Sequence, residues 1–151
     1  MSAPDNLGDI FSDALAEAVA TVAGVCLERV PIKDDEGLGE LTGAMSLCGK
    51  KGGILFVSAN ESAVRFLCSC MTGVAEDEVS RSDVEDALCE FVNMTAGSAK
   101  LRISEPDYYF NLSTPFVIRG KDITIMTKNK AKVITRVLGN GELKLWLRFV
   151  G

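Results

Sequence analysis

Residues 82–102 read SDVEDALCEFVNMTAGSAKLR. Ser82 followed three residues later by Glu85 is a capping-box pattern. It predicts a helix from Asp83 to about Arg102, with Pro106 lying beyond its end. At about 100° per residue, Asp86, Glu90, Asn93 and Gly97 fall within about 60° of one another, with Lys100 beside them. The opposite side holds Val84, Leu88, Phe91, Thr95 and Ala99, flanked by Val92. The spacing therefore predicts a helix that buries an apolar face and turns an acid, an amide and a glycine outward along one stripe. Gly97 is informative because glycine inside a helix is about 1 kcal/mol less favourable than alanine. One use for it is to let the backbone of another protein come close.

The same pattern occurs earlier in the chain. Residues 13–24 read DALAEAVATVAG and residues 86–97 read DALCEFVNMTAG, and seven of the twelve positions match without a gap. Two independent amphipathic helices readily share apolar positions, but they rarely share the Asp, the Glu and the final Gly as well. Thr42…Gly49-Lys50 and Thr114…Gly120-Lys121 extend the likeness into the strands that follow. The chain thus reads as a duplicated helix-plus-strands unit, with repeats of about 7–58 and 82–150. The position that differs is the telling one: Ala20 stands where the second copy has Asn93.

Outward from these helices, Asp5 or Asn6 is expected to cap the first and Gly24 to end it. Cys26–Lys33 reads as a short strand, and 34–40 as a loop. Residues 41–49 and 52–59 read as strands joined in a hairpin at Gly49-Lys50-Lys51-Gly52. Asn60 is expected to cap a helix reaching Met71, with Gly73 as its stop. Strands are expected at Tyr109–Arg119, Asp122–Lys128, Lys132–Leu138 and Glu142–Val150, the last two joined at Asn140-Gly141. The sum is an α/β protein of the α+β layered kind, with a pseudo-twofold repeat and a mostly antiparallel sheet packed by two long helices. At 151 residues it is expected to form a single domain over 1–151.

Composition narrows the chemistry. The chain has no histidine, which removes the commonest general base, the commonest zinc ligand and every Ser-His or Cys-His triad. The five cysteines include no CxxC, so neither a disulfide framework nor a zinc knuckle is expected, and the thiols read as free in a reducing cytoplasm. Met71, Met94 and the cysteines read as core rather than as a redox or ligand sensor. A net charge of −5 argues against a nucleic-acid partner. Residues 1–99 hold 6 Lys/Arg against 17 Asp/Glu, and residues 100–151 hold 10 against 4. The Lys128, Lys130, Lys132 alternation reads as charge on an exposed or edge strand. Met1–Gly8 has no signal-peptide pattern, and no run approaches the ~20 apolar residues of a membrane span.

A lone Glu-x-x-Asn pair is a weak match, and on an exposed helix face it is usually solvated surface. Here it lies within a repeat and beside Asp86 and Gly97. The pattern Asp86-x3-Glu90-x2-Asn93, followed after twenty-one residues by Pro115, resembles the signature of the CheC/CheX/FliY chemotaxis phosphatases. The segments 90–100 and 112–121 are similar to their counterparts in that family. CheC-type members carry the Glu/Asn pair in both repeats and CheX-type members only in the second, as here, where Glu17 is followed by Ala20.

The resemblance implies a CheC/CheX-like fold and a phosphatase for the phosphoaspartate of a response-regulator receiver domain of the CheY type. It implies that Asn93 orients the attacking water and Glu90 pairs with the receiver's lysine. Asp86, Gly97 and Lys100 are then partner-binding residues. Magnesium belongs to the receiver, with no cofactor or metal held by this chain, and a homodimer is expected. The competing expectation is a non-catalytic module that binds a receiver or a flagellar-switch partner.

Overall fold

In the computed structural model, the helix over the decisive segment starts at Arg81, one residue after Ser80. Ser80, not Ser82, is the cap: its Oγ accepts the Asp83 N–H at 3.0 Å. Both serines have an acid three residues on, so the pattern alone does not choose between them. Hydrophobic burial does. Val79 and Val84, immediately before the cap and on the fourth helical residue, are both buried in the main core, the arrangement of a hydrophobic staple.

The structure describes residues 3–33, 36–128 and 131–151, and of residues 3–6 the backbone alone. The first helix already runs from Ala3, so Asp5 and Asn6 lie within it and neither is its cap; Lys130 lies outside the described residues. The α-helices among the described residues are α1 (Ala3–Ala23), α2 (Glu61–Thr72) and α3 (Arg81–Arg102). The strands are β1 (Glu28–Arg29), β2 (Leu41–Cys48), β3 (Gly53–Ala59), β4 (Asn111–Leu112), β5 (Phe116–Arg119), β6 (Val133–Gly139) and β7 (Lys144–Val150).

The sheet order is β1-β6-β7-β3-β2-β4, with β5 also on β2, and every described pairing is antiparallel. It reads alike from both edges. Each half supplies one hairpin, β2–β3 or β6–β7. The strand that follows each long helix crosses to the other half's hairpin, β1 onto β6 and β4/β5 onto β2. This is the pseudo-twofold arrangement that the repeated helix implies. It also corrects the strand alignment: the Thr114 segment is not the counterpart of the Thr42 segment but its edge neighbour, with Thr42 opposite Ile118. By position, β5 matches β1 and β6 matches β2.

Three other expectations change. The Cys26–Lys33 strand shrinks to Glu28–Arg29. Tyr109–Arg119 splits into β4 and β5, with Pro115, which has no N–H to give a ladder, just before β5. Asp122–Lys128 is not a strand. Asp122 takes a left-handed φ of 55°, which turns the chain out of the ladder directly after β5. The hairpin at Asn140-Gly141 forms: Asn140 Oδ1 accepts the N–H groups of Glu142 and Leu143 at 2.9 and 2.7 Å. Asn60 stands at the N-cap of α2 without capping through its side chain. A loop carboxylate does that work, since Glu40 accepts the Glu61 N–H at 3.0 Å.

Helices α1 and α3 pack on each other and on one face of the sheet. The core between them holds Phe11, Leu15, Leu41, Met45, Leu55, Leu88, Phe91 and Leu147, all essentially inaccessible. Phe11 stacks on Phe149 and Phe110, with ring centroids 5.2 and 6.2 Å apart. Helix α3 settles onto β2 at a glycine. A Cβ at Gly43 would lie 2.6 Å from Val92 Cγ2 and 3.1 Å from Leu88 Cγ, so the absent side chain sets the approach of the helix. A smaller cluster of Leu38, Val137 and Trp146 gathers separately.

Candidate functional site

The core fixes which way α3 faces. Val84, Leu88, Phe91, Val92, Thr95 and Ala99 are all buried. Thr95 spends its hydroxyl on the Phe91 carbonyl at 2.7 Å. Burying Leu88, Phe91 and Val92 stabilises by roughly 1.5–3 kcal/mol each. Rotating the helix to hide its other face would forfeit several kcal/mol. The outward stripe is therefore rigidly presented: Asp86, Glu90 and Asn93 are exposed, and Gly97 and Lys100 are half-buried. The structure brings all five sequence-predicted residues onto one helix face. A Cβ at Gly97 would meet no atom within 4 Å, so nothing inside the fold asks for glycine there.

The aligned helix α1 has a different surface. Gly24 is not a helical residue but the left-handed end of α1, with φ of 67° and its N–H on the Ala20 carbonyl at 2.9 Å. Glu17, which aligns with Glu90, is held in an ion pair by Arg102. Asp86, Glu90 and Lys100 make no ion pair among the described residues. The two copies thus differ in two respects: the first lacks the amide, and its glutamate is already occupied.

The beginning of the helix is braced by charges that the sequence reading missed. Arg119 of β5 pairs with Glu61 of α2 and, at 3.2 Å, with Glu85 of α3. Arg65 pairs with Glu61 at 3.3 Å and donates to the Val79 carbonyl at 2.9 Å. The bond from Arg119, then that from Arg65, holds the Glu61 carboxyl below the usual range. The same bond to Glu61 raises Arg119. Arg65 and Glu61 are four residues apart on α2, but Arg119 lies 58 and 34 residues from Glu61 and Glu85, and no local signal marks those contacts.

Between α2 and α3 runs a shallow groove of about 240 Å³, lined by Cys68, Met71, Thr72, Asp83, Asp86, Ala87 and Glu90. Met71 is 36% exposed on its wall and is not a core residue as expected. Cys26, Cys48 and Cys70 are exposed as well, while Cys68 is buried and Cys89 half-buried. All five are free. Burial pushes the Cys68 and Cys89 thiols up, away from reactive thiolate. A larger cavity, about 420 Å³, is lined by Lys50, Lys51, Tyr108 and Lys132 among others and contains none of the stripe residues. Its lysines are partly engaged, Lys50 with Asp107 at 3.3 Å and Lys51 over the Tyr108 ring. Among the described residues, no three His, Cys, Asp or Glu side chains gather as a metal site, and no helix is long and apolar enough to cross a membrane.

The family model for the chemotaxis phosphatase CheX matches residues 41–137, more than half of the chain. The chain belongs to the CheX chemotaxis phosphatase family. A search of the curated proteins finds no sequence match. Among solved structures, it is similar to the CheX of Desulfovibrio desulfuricans, at 24% identity and a TM-score of 0.80, covering 97% of this chain and 99% of that one. It is also similar to the CheX of Vibrio vulnificus, at 21% identity and a TM-score of 0.80, covering 95% of each chain. A third similar structure, at 13% identity, a TM-score of 0.72 and coverage of 94% and 95%, is in the CheX–CheY–BeF3–Mg²⁺ complex from Borrelia burgdorferi. The mixed α/β fold with its antiparallel sheet is the fold of these proteins.

Proposed function

We propose that this chain hydrolyses the phosphoaspartate of a CheY-type receiver domain. In this reading Asn93 orients the attacking water and Glu90 pairs with the receiver's lysine. The observation that carries it is the contrast between the halves. Glu90 and Asn93 stand exposed one turn apart, with no ion pair or side-chain hydrogen bond among the described residues, on a helix locked by its buried face, whereas the first half has alanine for the amide and a glutamate tied to Arg102. The family supports a phosphatase, and a related structure is bound to a CheY.

The chemistry suits these residues. Water attacks phosphorus in line, the acyl P–O bond breaks, and phosphate leaves with the receiver's aspartate restored as carboxylate. Positioning and charge stabilisation dominate such a step, so no strong base is required. An amide both donates and accepts hydrogen bonds, and so holds a water by two contacts. The three-residue spacing puts the amide and the carboxylate on adjacent turns, where both enter one cleft. Magnesium in this reading belongs to the receiver. The protein acts in the cytoplasm as a homodimer, to be checked by sedimentation.

The test is phosphate release from a phosphorylated CheY-type receiver with Mg²⁺. Wild type should accelerate it, and Asn93→Ala should lose about 10²-fold or more with its fold intact. Glu90→Ala should weaken receiver binding as well as rate. Near-normal turnover in Asn93→Ala would sink the assignment. Receiver binding without acceleration by wild type would leave an interaction module instead.

A further inference from the structure

Leu101 lies 89% exposed, a large aliphatic side chain almost wholly in water. A single exposed leucine is ordinary in itself. Its place is not. Counting about 100° per residue, it points within about 20° of Glu90, about 40° of Gly97 and about 80° of Asn93, at the edge of the outward stripe. Along the helix it stands about 12 Å beyond Asn93 at 1.5 Å per residue. A standard interface covers about 800 Å² per partner, roughly 30 Å across, so one receiver touching Asn93 also reaches Leu101.

Nor is the exposure a consequence of a loose helix end. Arg102 is fixed by Glu17 and by Ser98 Oγ at 3.3 Å, and Ile103 is buried in the core. The backbone at Leu101 is therefore held on its C-terminal side while its side chain touches solvent. Read from the N-terminal end, the stripe runs carboxylate, amide, bare backbone and then an aliphatic knob. The first two groups suit chemistry on a charged centre. The last suits an apolar depression on the surface beside that centre.

We propose that Leu101 is the apolar anchor by which a receiver domain docks on α3, its burial helping to set affinity while Glu90 and Asn93 carry the reaction. This rests on the phosphatase reading above and extends it from the reacting pair to the determinant of partner binding.

The experiment measures binding of a beryllofluoride-activated CheY-type receiver and, separately, kcat and KM for phosphate release. The proteins compared are wild type, Asn93→Ala, Leu101→Ala and Leu101→Gln. Because Leu101 contacts almost nothing in the fold, both Leu101 variants should melt like wild type. Loss of this anchor should raise Kd and KM about tenfold with kcat nearly unchanged. An unchanged Kd in both variants overturns the proposal, as does a fall in kcat without a change in Kd. A dimer that falls apart on Leu101→Ala, seen by sedimentation with receiver affinity retained, also overturns it and assigns the residue to self-association. Failure of the parent reading looks different. Asn93→Ala would then retain wild-type turnover while Leu101→Ala still weakened binding, and a wild type that bound no receiver would remove both.

Discussion

A methyl group added at Gly97 gives opposite expectations for stability and for activity. The Cβ of Gly97→Ala would have no atom within 4 Å, so it introduces no clash. The position lies inside α3, where alanine is favoured over glycine by about 0.5–1 kcal/mol, because glycine loses more backbone freedom on folding. For a domain of this length, that corresponds to a rise of roughly 2–4 °C in Tm per kcal/mol. Calorimetry or thermal circular dichroism should therefore show a more stable protein. Phosphate release should show a poorer one. A methyl that keeps a receiver's backbone from its seat displaces the reacting groups by about 1 Å, and a misplacement of that size costs about 10²-fold in rate. A raised Tm with unchanged kcat/KM would refute the idea that the bare stripe serves an approaching partner. A lowered Tm would refute the structural premise.

The aligned glycine supplies the control. Gly24 has a φ of 67°, a conformation that burdens an L-residue by about 1–2 kcal/mol. Gly24→Ala should lower Tm and leave kcat/KM unchanged at temperatures where the protein is folded. Opposite signs at two positions that align in sequence cannot come from a general effect of the substitution.

Two other expectations follow from the packing and the charges. Gly43→Ala would press a methyl to 2.6 Å from Val92 Cγ2, far inside normal contact, and should destabilise by about 1–3 kcal/mol in urea unfolding while disturbing the seat of α3. The Glu61 carboxyl, lowered by Arg119 and then Arg65, contributes stability that is fully present above its unfolded value near 4.5 and lost as pH falls through the lower folded value. The urea midpoint should therefore fall in acid, less steeply for Glu61→Gln. At 34% side-chain exposure the effect should be small, under about 1 kcal/mol, and reduced by salt.

The outward stripe of α3 was legible because helical period is a local property: once residues 81–102 are helical, buried Leu88, Phe91 and Ala99 dictate where Glu90 and Asn93 point. The helix start was misplaced by two residues because Ser80 and Ser82 present the same local pattern, and only the burial of Val79 separates them. Residues 122–125 alternate polar and apolar like a strand, and Ile125 does pack against the smaller cluster, but alternation reports a buried side and not a ladder partner. The brace of Arg119 with Glu61 and Glu85 joins residues 58 and 34 positions apart, and nothing near each residue records the other. The Glu17–Arg102 pair spans 85 positions.

That last pair bears on how one helix of the repeat came to carry the candidate site alone. On the proposed reading, alanine at position 20 leaves the first half with no amide to orient a water, and Glu17 has no reaction to serve. A free carboxylate facing solvent then gains only from a partner within the fold, and Arg102 supplies one. The bond closes α1 against the far end of α3, next to Leu101 and two turns beyond Asn93. An exposed ion pair of this kind adds little to global stability. What it adds is local: it limits fraying of the last turn of α3, whose carbonyls have no helical partners. On the proposed reading, the retired half thus holds steady the helix on which the retained half depends.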